Sequence, residues 1–285
     1  MSSNNNEKEF YVKFWGVRGS VPVSGRSTCE YGGNTSCLEV KCGDRLLMLD
    51  AGSGAFLFGE SLRAKETGEV DVLFSHCHYD HIEGAPFFSP VHRKDWQVRY
   101  WSGHLYGTMT TAEMIKTYMS RPYFPVGPEI FCAKPSYHDF EPGQELDLGD
   151  GIVIKTSPLN HPDGAVGYRI EYDDRSICYV TDMEHTDDGP PENLCNLVRG
   201  AGILIYDAMY DDDDFEEYRG YGHSTWQEGA RLSDKCHVDQ YVAFHHQPCH
   251  DDLMLDEVGR KLQEFRPGSL LAREGEVLRP RKQPK

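Results

Sequence analysis

Short apolar runs separated by turn residues dominate the hydrophobic pattern of this 285-residue chain. Runs of four to eight apolar residues, bounded by Gly, Asn or Asp, are typical of buried strands. The pattern predicts strands at residues 10–15, 37–42, 45–50, 72–75, 152–156, 166–172, 176–181, 203–207 and 241–245.

Three other segments carry the apolar period of an amphipathic helix. Residues 109–121 form the first, with Thr110 and Glu113 spaced as a capping box. Residues 224–235 form the second, with Ser224 as the expected N-cap, and residues 251–265 form the third. The third helix has its apolar residues on one face, namely Leu255, Val258, Leu262 and Phe265.

The order of these elements predicts an α/β (α+β) fold. Strands come first, then strands mixed with helices, and this succession occurs twice. Two mixed sheets with helices outside would form an αββα sandwich, with ligands bound at the strand ends. We expect a disordered N-terminal tail at 1–9, one domain at 10–278 and a C-terminal tail at 279–285.

Composition narrows the possible partners. The formal net charge of −17 argues against broad nucleic-acid binding, which needs a basic surface. The longest apolar runs are strand-sized, so no membrane span is expected, and the polar N-terminal residues do not resemble a signal peptide. Nine cysteines without framework spacing predict reduced thiols and a cytoplasmic location.

The densest chemistry follows the predicted strand at 72–75. His76, His78, Asp80 and His81 fall within six residues, and imidazole with carboxylate suits zinc and similar divalent metals. His161, Asp182 and His245 each follow another predicted strand. Five histidines and two aspartates are enough for two metal sites, which together can activate a water molecule.

This ligand series resembles that of the metallo-β-lactamase-fold hydrolases, whose mark is HxHxDH followed by a His, an Asp and a last His. The resemblance covers nearly the whole chain. It implies one metal on His76, His78 and His161, and a second on Asp80, His81 and His245, with Asp182 shared. Asp50 matches an early aspartate of the family that supports the metal loop without binding metal.

Gly222-His223-Ser224-Thr225 resembles an element of RNase Z-like phosphodiesterases, in which the His acts as proton donor or phosphate clamp. The segments 14–22 and 31–36 are similar to those of a subgroup that hydrolyses cyclic nucleotides, including enzymes of the anti-Pycsar type. No basic, glycine-containing arm of the kind that grips tRNA in RNase Z is evident. The resemblance therefore implies hydrolysis of 3′,5′-cyclic nucleotides to nucleoside monophosphates by a metal-dependent phosphodiesterase.

Within that mechanism, His223 is the expected general acid, and Asp80 or the shared Asp182 is expected to orient the nucleophile. The expected substrate contacts are Asn34, Thr35 and Ser36. Glu184 and His185 are equally compatible with a substrate contact and with a supporting role around the metal ligands. Arg18 is equally compatible with a phosphate contact and with a structural ion pair.

Several alternatives stay open at this point. The metal is expected to be zinc, with manganese as the alternative, because His/Asp sites accept both. Relatives in this branch are commonly homodimers, and the segment 118–130 could be a lid, a dimer contact or part of its own core. The competing functions are tRNA 3′-end processing and metal-stabilised nucleotide binding without turnover.

Overall fold

The computed structural model describes residues 8–282, and the predicted tails 1–9 and 279–285 lie partly outside that range. The strands are β1 (Phe10–Gly16), β2 (Cys37–Cys42), β3 (Arg45–Leu49), β4 (Gly68–Phe74), β5 (Trp96–Ser102), β6 (Ser136–Asp139), β7 (Glu145–Gly149), β8 (Ile152–Leu159), β9 (Ala165–Tyr172), β10 (Arg175–Val180), β11 (Ile203–Asp207), β12 (Gln240–Phe244), β13 (Leu270–Leu271) and β14 (Val277–Leu278). The α-helices are α1 (Gly54–Ser61), α2 (Tyr79–Ile82), α3 (Thr111–Tyr118), α4 (Glu192–Val198), α5 (Trp226–Lys235) and α6 (Asp252–Phe265).

Two seven-stranded sheets face each other. The first has the order β14-β1-β2-β3-β4-β5-β6, and the second has the order β13-β12-β11-β10-β9-β8-β7. Apolar side chains from both sheets, such as Val12, Leu38, Ile170 and Val242, form one buried cluster between them. Complete burial of each such side chain contributes roughly 1.5–3 kcal/mol, so this layer fixes how the sheets pack.

Helices cover the outer faces. Helices α1 and α3 pack on the first sheet, and α4, α5 and α6 pack on the second. The predicted αββα sandwich is therefore confirmed. The domain bounds stay a prediction, although the first and last strands begin at Phe10 and end at Leu278. None of the helices within residues 8–282 is long and apolar enough to cross a membrane.

Helix ends show where local sequence rules hold. Thr110 caps α3 and forms the predicted capping box with Glu113, although α3 is shorter than predicted at both ends. Asp251 caps α6 by accepting a hydrogen bond from the Met254 amide. The prediction of Ser224 as N-cap of α5 is wrong, because Thr225 accepts the bond from the Glu228 amide instead.

Candidate metal centre and active site

Four strand ends bring the predicted metal ligands together. The HxHxDH motif follows β4, His161 follows β8, Asp182 follows β10 and His245 follows β12. Asp182 and His245 adopt the left-handed conformation, with φ of 54° and 64°. This conformation costs on the order of 1–3 kcal/mol for a residue other than glycine, and the surrounding sheet must hold it in place. Strands β10 and β12 therefore each end in a sharp turn at the ligand that follows them.

The first ligand set consists of His76, His78 and His161. Nδ1 of His78 and Nε2 of His161 face each other at 3.1 Å. Nε2 of His76 is buried and has no hydrogen-bond partner. The opposite ring nitrogen of His161 donates to the Gly222 carbonyl at 2.8 Å, which orients Nε2 toward the set.

The second set consists of Asp80, His81 and His245. Nε2 of His81 and Nε2 of His245 lie 3.3 Å apart, and each is 3.2 Å from Oδ2 of Asp80. The backbone amide of Ser20 donates to the same Asp80 oxygen at 2.7 Å. Three donor atoms thus converge in a site shielded from solvent.

Asp182 presents one carboxylate oxygen to each set. Its Oδ2 is 3.2 Å from Nε2 of His81 and 3.3 Å from Nε2 of His245. Its Oδ1 is 3.7 Å from Nε2 of both His76 and His161. This is the arrangement expected of a carboxylate shared by two metal ions.

Asp50 supports the metal loop from behind. Its Oδ2 accepts a hydrogen bond from Nδ1 of His81 at 2.8 Å, and its Oδ1 accepts one from the Ser75 amide at 2.6 Å. The hydroxyl of Tyr179 also donates to it. A buried carboxylate in this position fixes the ring orientation of a ligand histidine and raises its basicity.

Close packing of ionisable groups shifts the pKa values of the residues in this site. Burial and the neighbouring His81 hold the pKa of His76 well below its usual range. Burial also opposes charge on His81, but Asp80, Asp182 and Asp50 outweigh it and raise its pKa well above the usual value. Burial would raise the pKa of Asp182, but His245, His81 and His76 hold it well below its usual range.

These residues fit a pair of divalent cations. Within residues 8–282, the buried Nε2 of His76 has no hydrogen-bond partner. The ring nitrogens of the other histidines face one another and the carboxylates of Asp80 and Asp182, as donor atoms around a cation would. Nitrogen and carboxylate donors of this kind suit zinc and manganese alike. A divalent-metal site is therefore supported, while the choice of zinc stays a prediction.

His223 lies beside the two ligand sets. Its Nδ1 donates to Oδ2 of Asp207 at 2.8 Å and is 3.7 Å from Oδ1 of Asp182. Burial disfavours the charged ring, but Asp207, with Asp182 and Asp80 nearby, raises the pKa of His223 to about 9. The protonated imidazolium is thus the favoured form at neutral pH in the metal-free protein.

Asp207 belongs to this site by its contacts, although its sequence position alone did not assign it there. It is fully buried at the end of β11, and it also accepts hydrogen bonds from the amides of Asp182 and Ser224. It therefore links a shared metal ligand to the loop that carries His223. The sequence did contain one indication of its role. Asp207 stands at the end of an apolar strand, as Asp50 and Asp182 do within two residues.

The structure does not bring Asn34, Thr35 and Ser36 into the cavity beside the metal ligands. Thr35 and Ser36 are fully buried, and the Thr35 hydroxyl donates to Glu83 at 2.8 Å. The amide and side chain of Asn34 both donate to Glu274. These residues hold their loop in place, so their predicted substrate contacts are not supported by their positions.

Glu184 and His185 also bind protein groups. Glu184 accepts hydrogen bonds from the amides of Gly220 and Gly222, which fixes the turn before His223. His185 bonds to the Ser224 hydroxyl through Nδ1 and stacks on Phe215 with ring centroids 3.9 Å apart. Both residues support the His223 loop and do not line the cavity described below.

The Arg18 side chain binds backbone groups of the protein. Its buried guanidinium donates to the carbonyls of Gly32, Gln247 and His250. It therefore ties the first loop to the segment after His245, and the reading as a phosphate contact loses support.

A cavity of about 870 Å³ opens onto the metal ligands. His78, Asp80, Asp182 and His223 form part of its lining. Its volume lies within the range of roughly 300–1,000 Å³ that is usual for small-molecule sites. Fold and site together define a metal-dependent hydrolase of the αββα class.

Comparison with known proteins agrees with this class. Residues 45–246, more than half of the chain, match the family described as "Beta-lactamase superfamily domain". The chain belongs to this family, and the predictions of its fold family and of a hydrolytic enzyme are confirmed.

The similar proteins include ribonuclease Z of Thermoplasma acidophilum, which is 21% identical over 89% of this chain and 92% of its own length. Among solved structures, a diphosphatase of the PhnP family aligns with a TM-score of 0.70 at 18% identity, covering 96% of this chain and 99% of that one. The short form of human tRNase Z aligns with a TM-score of 0.67 at 18% identity, covering 95% and 99%. At 18% identity, these structural similarities show a shared fold and do not identify a shared function.

Proposed function

We propose that this chain is a dinuclear-metal phosphodiesterase that hydrolyses 3′,5′-cyclic nucleotides to nucleoside monophosphates. The observation that carries the proposal is the Asp182 carboxylate, which turns one oxygen to each ligand set and has His223 3.7 Å from one of them. A phosphodiester needs its charge neutralised, a water activated and a poor leaving group protonated. This site offers groups for all three tasks.

His76, His78 and His161 would hold one divalent ion and Asp80, His81 and His245 the other, with Asp182 between them. Bound there, two such ions would supply Lewis acidity toward the phosphate and lower the pKa of a water molecule. Asp80 has its Oδ2 turned toward His81, His245 and the Ser20 amide. Its other oxygen is the one that we assign to orienting the attacking water.

His223 is the group that we assign to the leaving oxygen. Asp207 occupies its Nδ1, so Nε2 is the ring nitrogen that can donate a proton to the substrate. A general acid held in this way typically contributes about 10²–10⁴-fold to the rate. The Gly222 carbonyl, which binds His161, also couples the His223 loop to the first ligand set.

The charge distribution favours a small substrate. The residues that line the cavity, all within the described part of the chain, include three carboxylates and neither Lys nor Arg. With a net charge of −17, the protein offers little to the phosphate backbone of a long nucleic acid. The expected homodimer and cytoplasmic location stay predictions.

Endonucleolytic cleavage of RNA, as in tRNA 3′-end processing, is the second candidate. The observation in its favour is the set of curated relatives, because proteins named ribonuclease Z or ribonuclease BN recur among them. These relatives weigh against the expectation, drawn from the net charge, that nucleic acid is an unlikely partner. Tight binding and cleavage of a precursor tRNA would support this candidate.

A parallel product assay separates the candidates. Metal-replete protein is incubated with cyclic AMP, GMP, CMP and UMP and, separately, with a precursor tRNA, and Asp80→Ala serves as the blank. We expect nucleoside monophosphate from at least one cyclic nucleotide, and none from Asp80→Ala with its fold intact by circular dichroism. Cleavage of the tRNA alone would replace the proposal with the second candidate. Binding of a cyclic nucleotide without any product would favour a non-hydrolytic binding module.

A further inference from the structure

The cavity has a second kind of lining that the hydrolytic groups do not use. Beyond the metal ligands, it is formed by apolar and aromatic side chains, namely Leu105, Met109, Met114, Tyr118, Tyr123 and Phe124. We call Tyr118, Tyr123 and Phe124 the aromatic wall. Their segment begins at the end of α3 and turns back through a hydrogen bond from the Phe124 amide to the Ser120 carbonyl.

The wall is joined to the metal centre by a chain of ring contacts. The Tyr118 ring centroid lies 6.4 Å from that of Phe124 and 6.2 Å from that of Tyr79. Tyr79 stands in the sequence between the ligands His78 and Asp80 and lines the same cavity. The Tyr118 hydroxyl donates to the Glu83 carbonyl, which anchors this ring beside the metal loop.

Tyr118 and Phe124 are partly buried and pack against a core cluster, whereas two other rings of the lining are open to solvent. Tyr79 is 69% exposed and Tyr123 is 87% exposed, and Met109, which lines the same cavity, is 38% exposed. Large apolar side chains clustered in the open at the mouth of a polar site mark a ligand surface more often than a structural one. Flat rings with accessible faces suit another flat, neutral ring.

The charges and hydroxyls of the lining narrow the ligand further. Among the residues that the structure describes, the lining contains the carboxylates of Asp80, Glu83 and Asp182 and no Lys or Arg, so it does not suit a second phosphate. Thr117 and Ser120 also line the cavity, and their hydroxyls can both donate to and accept from the polar edge of a heterocycle. This combination of stacking faces and edge hydroxyls is the chemistry that recognises a nucleobase.

We propose that the aromatic wall is a nucleobase subsite, in which Tyr118 and Phe124 stack on the base attached to the scissile phosphodiester. The proposal rests on the proposed phosphodiesterase function. The base can belong to a free cyclic nucleotide or to a nucleotide of an RNA chain, because the stacking chemistry is the same in both.

The test compares substrates with and without a base. We would measure kcat/KM of the metal-replete protein for cyclic AMP, for a short RNA and for methyl ribofuranoside 3,5-cyclic phosphate, which lacks the base. In Tyr118→Leu and Phe124→Leu, the ratio of kcat/KM for the base-bearing to the base-free cyclic phosphate should fall about 5- to 150-fold, the range of one stacking contact. If kcat/KM falls for cyclic AMP, the base belongs to a free cyclic nucleotide. If it falls for the short RNA, the base belongs to an RNA chain.

Three comparisons make the outcome specific. Tyr118→Phe keeps the ring and should keep the ratio, and Phe56→Leu, an equally conservative change on the exposed face of α1, should leave it unchanged. Binding of AMP, measured by isothermal titration calorimetry, should weaken by a similar factor in Tyr118→Leu. If the ratio and AMP binding both stay constant while the wild-type protein turns over, the subsite is overturned and the phosphodiesterase stands. If no substrate turns over but AMP binding weakens in Tyr118→Leu, the proposed function fails and the subsite stands.

Discussion

Asp207 and His223 form a partly buried hydrogen bond of 2.8 Å between a carboxylate oxygen and the ring Nδ1. The two residues are 16 positions apart, and Asp207 is completely shielded from solvent. The same carboxylate accepts a hydrogen bond from the amide of Asp182, so one group positions both the proposed proton donor and the proposed shared metal ligand.

Replacing Asp207 by Asn should lower kcat for a cyclic nucleotide by about 10²-fold, the lower end of what a general acid contributes. The amide keeps the volume but no longer stabilises a protonated His223. Because both residues act as one unit, the double variant Asp207→Asn/His223→Ala should be little slower than His223→Ala alone.

A substrate with a good leaving group provides the control. In a p-nitrophenyl phosphodiester the leaving group is p-nitrophenolate, which departs without being protonated. Asp207→Asn should therefore slow the hydrolysis of this substrate much less. Equal losses on both substrates would mean that Asp207 acts on the metal site and not through the proton donor.

Gly19 is required beside the ligand His245 for steric reasons. A Cβ at position 19 would lie 2.5 Å from Cε1 and Nδ1 of the His245 ring and 2.4 Å from the Met209 side chain. Gly19→Ala should therefore displace His245 and reduce both metal content and kcat/KM by more than about tenfold, since metal ligands tolerate little misplacement. Metal content is measured by mass spectrometry after gel filtration.

The matched control is Gly259→Ala in α6. A Cβ there meets only ordinary van der Waals contacts, the nearest at 3.4 Å. Because alanine favours a helix interior by roughly 0.8–1 kcal/mol over glycine, this variant should keep activity and gain stability. Full metal occupancy in Gly19→Ala would contradict the steric argument.

Asp50→Asn should weaken metal binding without removing a ligand. Oδ2 of Asp50 accepts hydrogen bonds from the His81 ring and from the hydroxyls of Tyr179 and Ser75, and an amide nitrogen in its place cannot accept any of them. Loss of such an outer partner typically costs about 10–100-fold in metal affinity, which a competition titration with a chelator would measure. Tyr179→Phe removes one donor and leaves the His81 contact, so its loss should be smaller. Unchanged affinity in Asp50→Asn would assign Asp50 to folding alone.

The sequence predicted which residues converge at the strand ends better than it predicted their surroundings. His76 to His81 are close in the chain, and each remaining expected ligand follows an apolar strand, so local pattern and family resemblance sufficed to bring them together. The partners of Thr35 and Asn34 are Glu83 and Glu274, which only the folded chain brings near. The polar character of Thr35 and Asn34 therefore led to the prediction of a substrate contact, whereas in the structure these side chains hold their loop in place.

Local rules also failed where tertiary contacts compete for a side chain. The Ser224 hydroxyl bonds to His185 and Tyr206, so it is not available to cap α5, and Thr225 takes that role. Strand β5 was not predicted, because Gln97 and Arg99 interrupt its apolar residues. In the sheet, those apolar residues alternate toward the core, while Arg99 pairs with Asp71.

Asp71 predicts how stability depends on pH. It is fully buried in β4, and its oxygens accept hydrogen bonds of 2.6 Å from Arg99 and 2.6 Å from Arg45 and one of 3.0 Å from Trp101. Burial would raise its pKa, but the two arginines outweigh burial and lower it. Asp71→Asn removes the carboxylate that both arginines share, although Arg45 and Arg99 keep their ion pairs with Glu69. It should therefore lower the free energy of unfolding at pH 7 by about 1.5–3 kcal/mol, the range for a hydrogen bond to a charged group.

The sign of the pH effect follows from the lowered pKa. The stabilisation by Asp71 is fully present above the unfolded-state pKa of about 3.9 and is lost as the pH falls toward the lower folded-state value. The difference in unfolding free energy between wild type and Asp71→Asn, measured by urea denaturation, should therefore be constant from pH 7 to 5 and shrink below about pH 4. The exposed Asp188→Asn should differ from wild type by less than about 0.5 kcal/mol throughout. A difference for Asp71→Asn that grows as the pH falls would mean that burial, and not the arginine pairs, controls this carboxyl group.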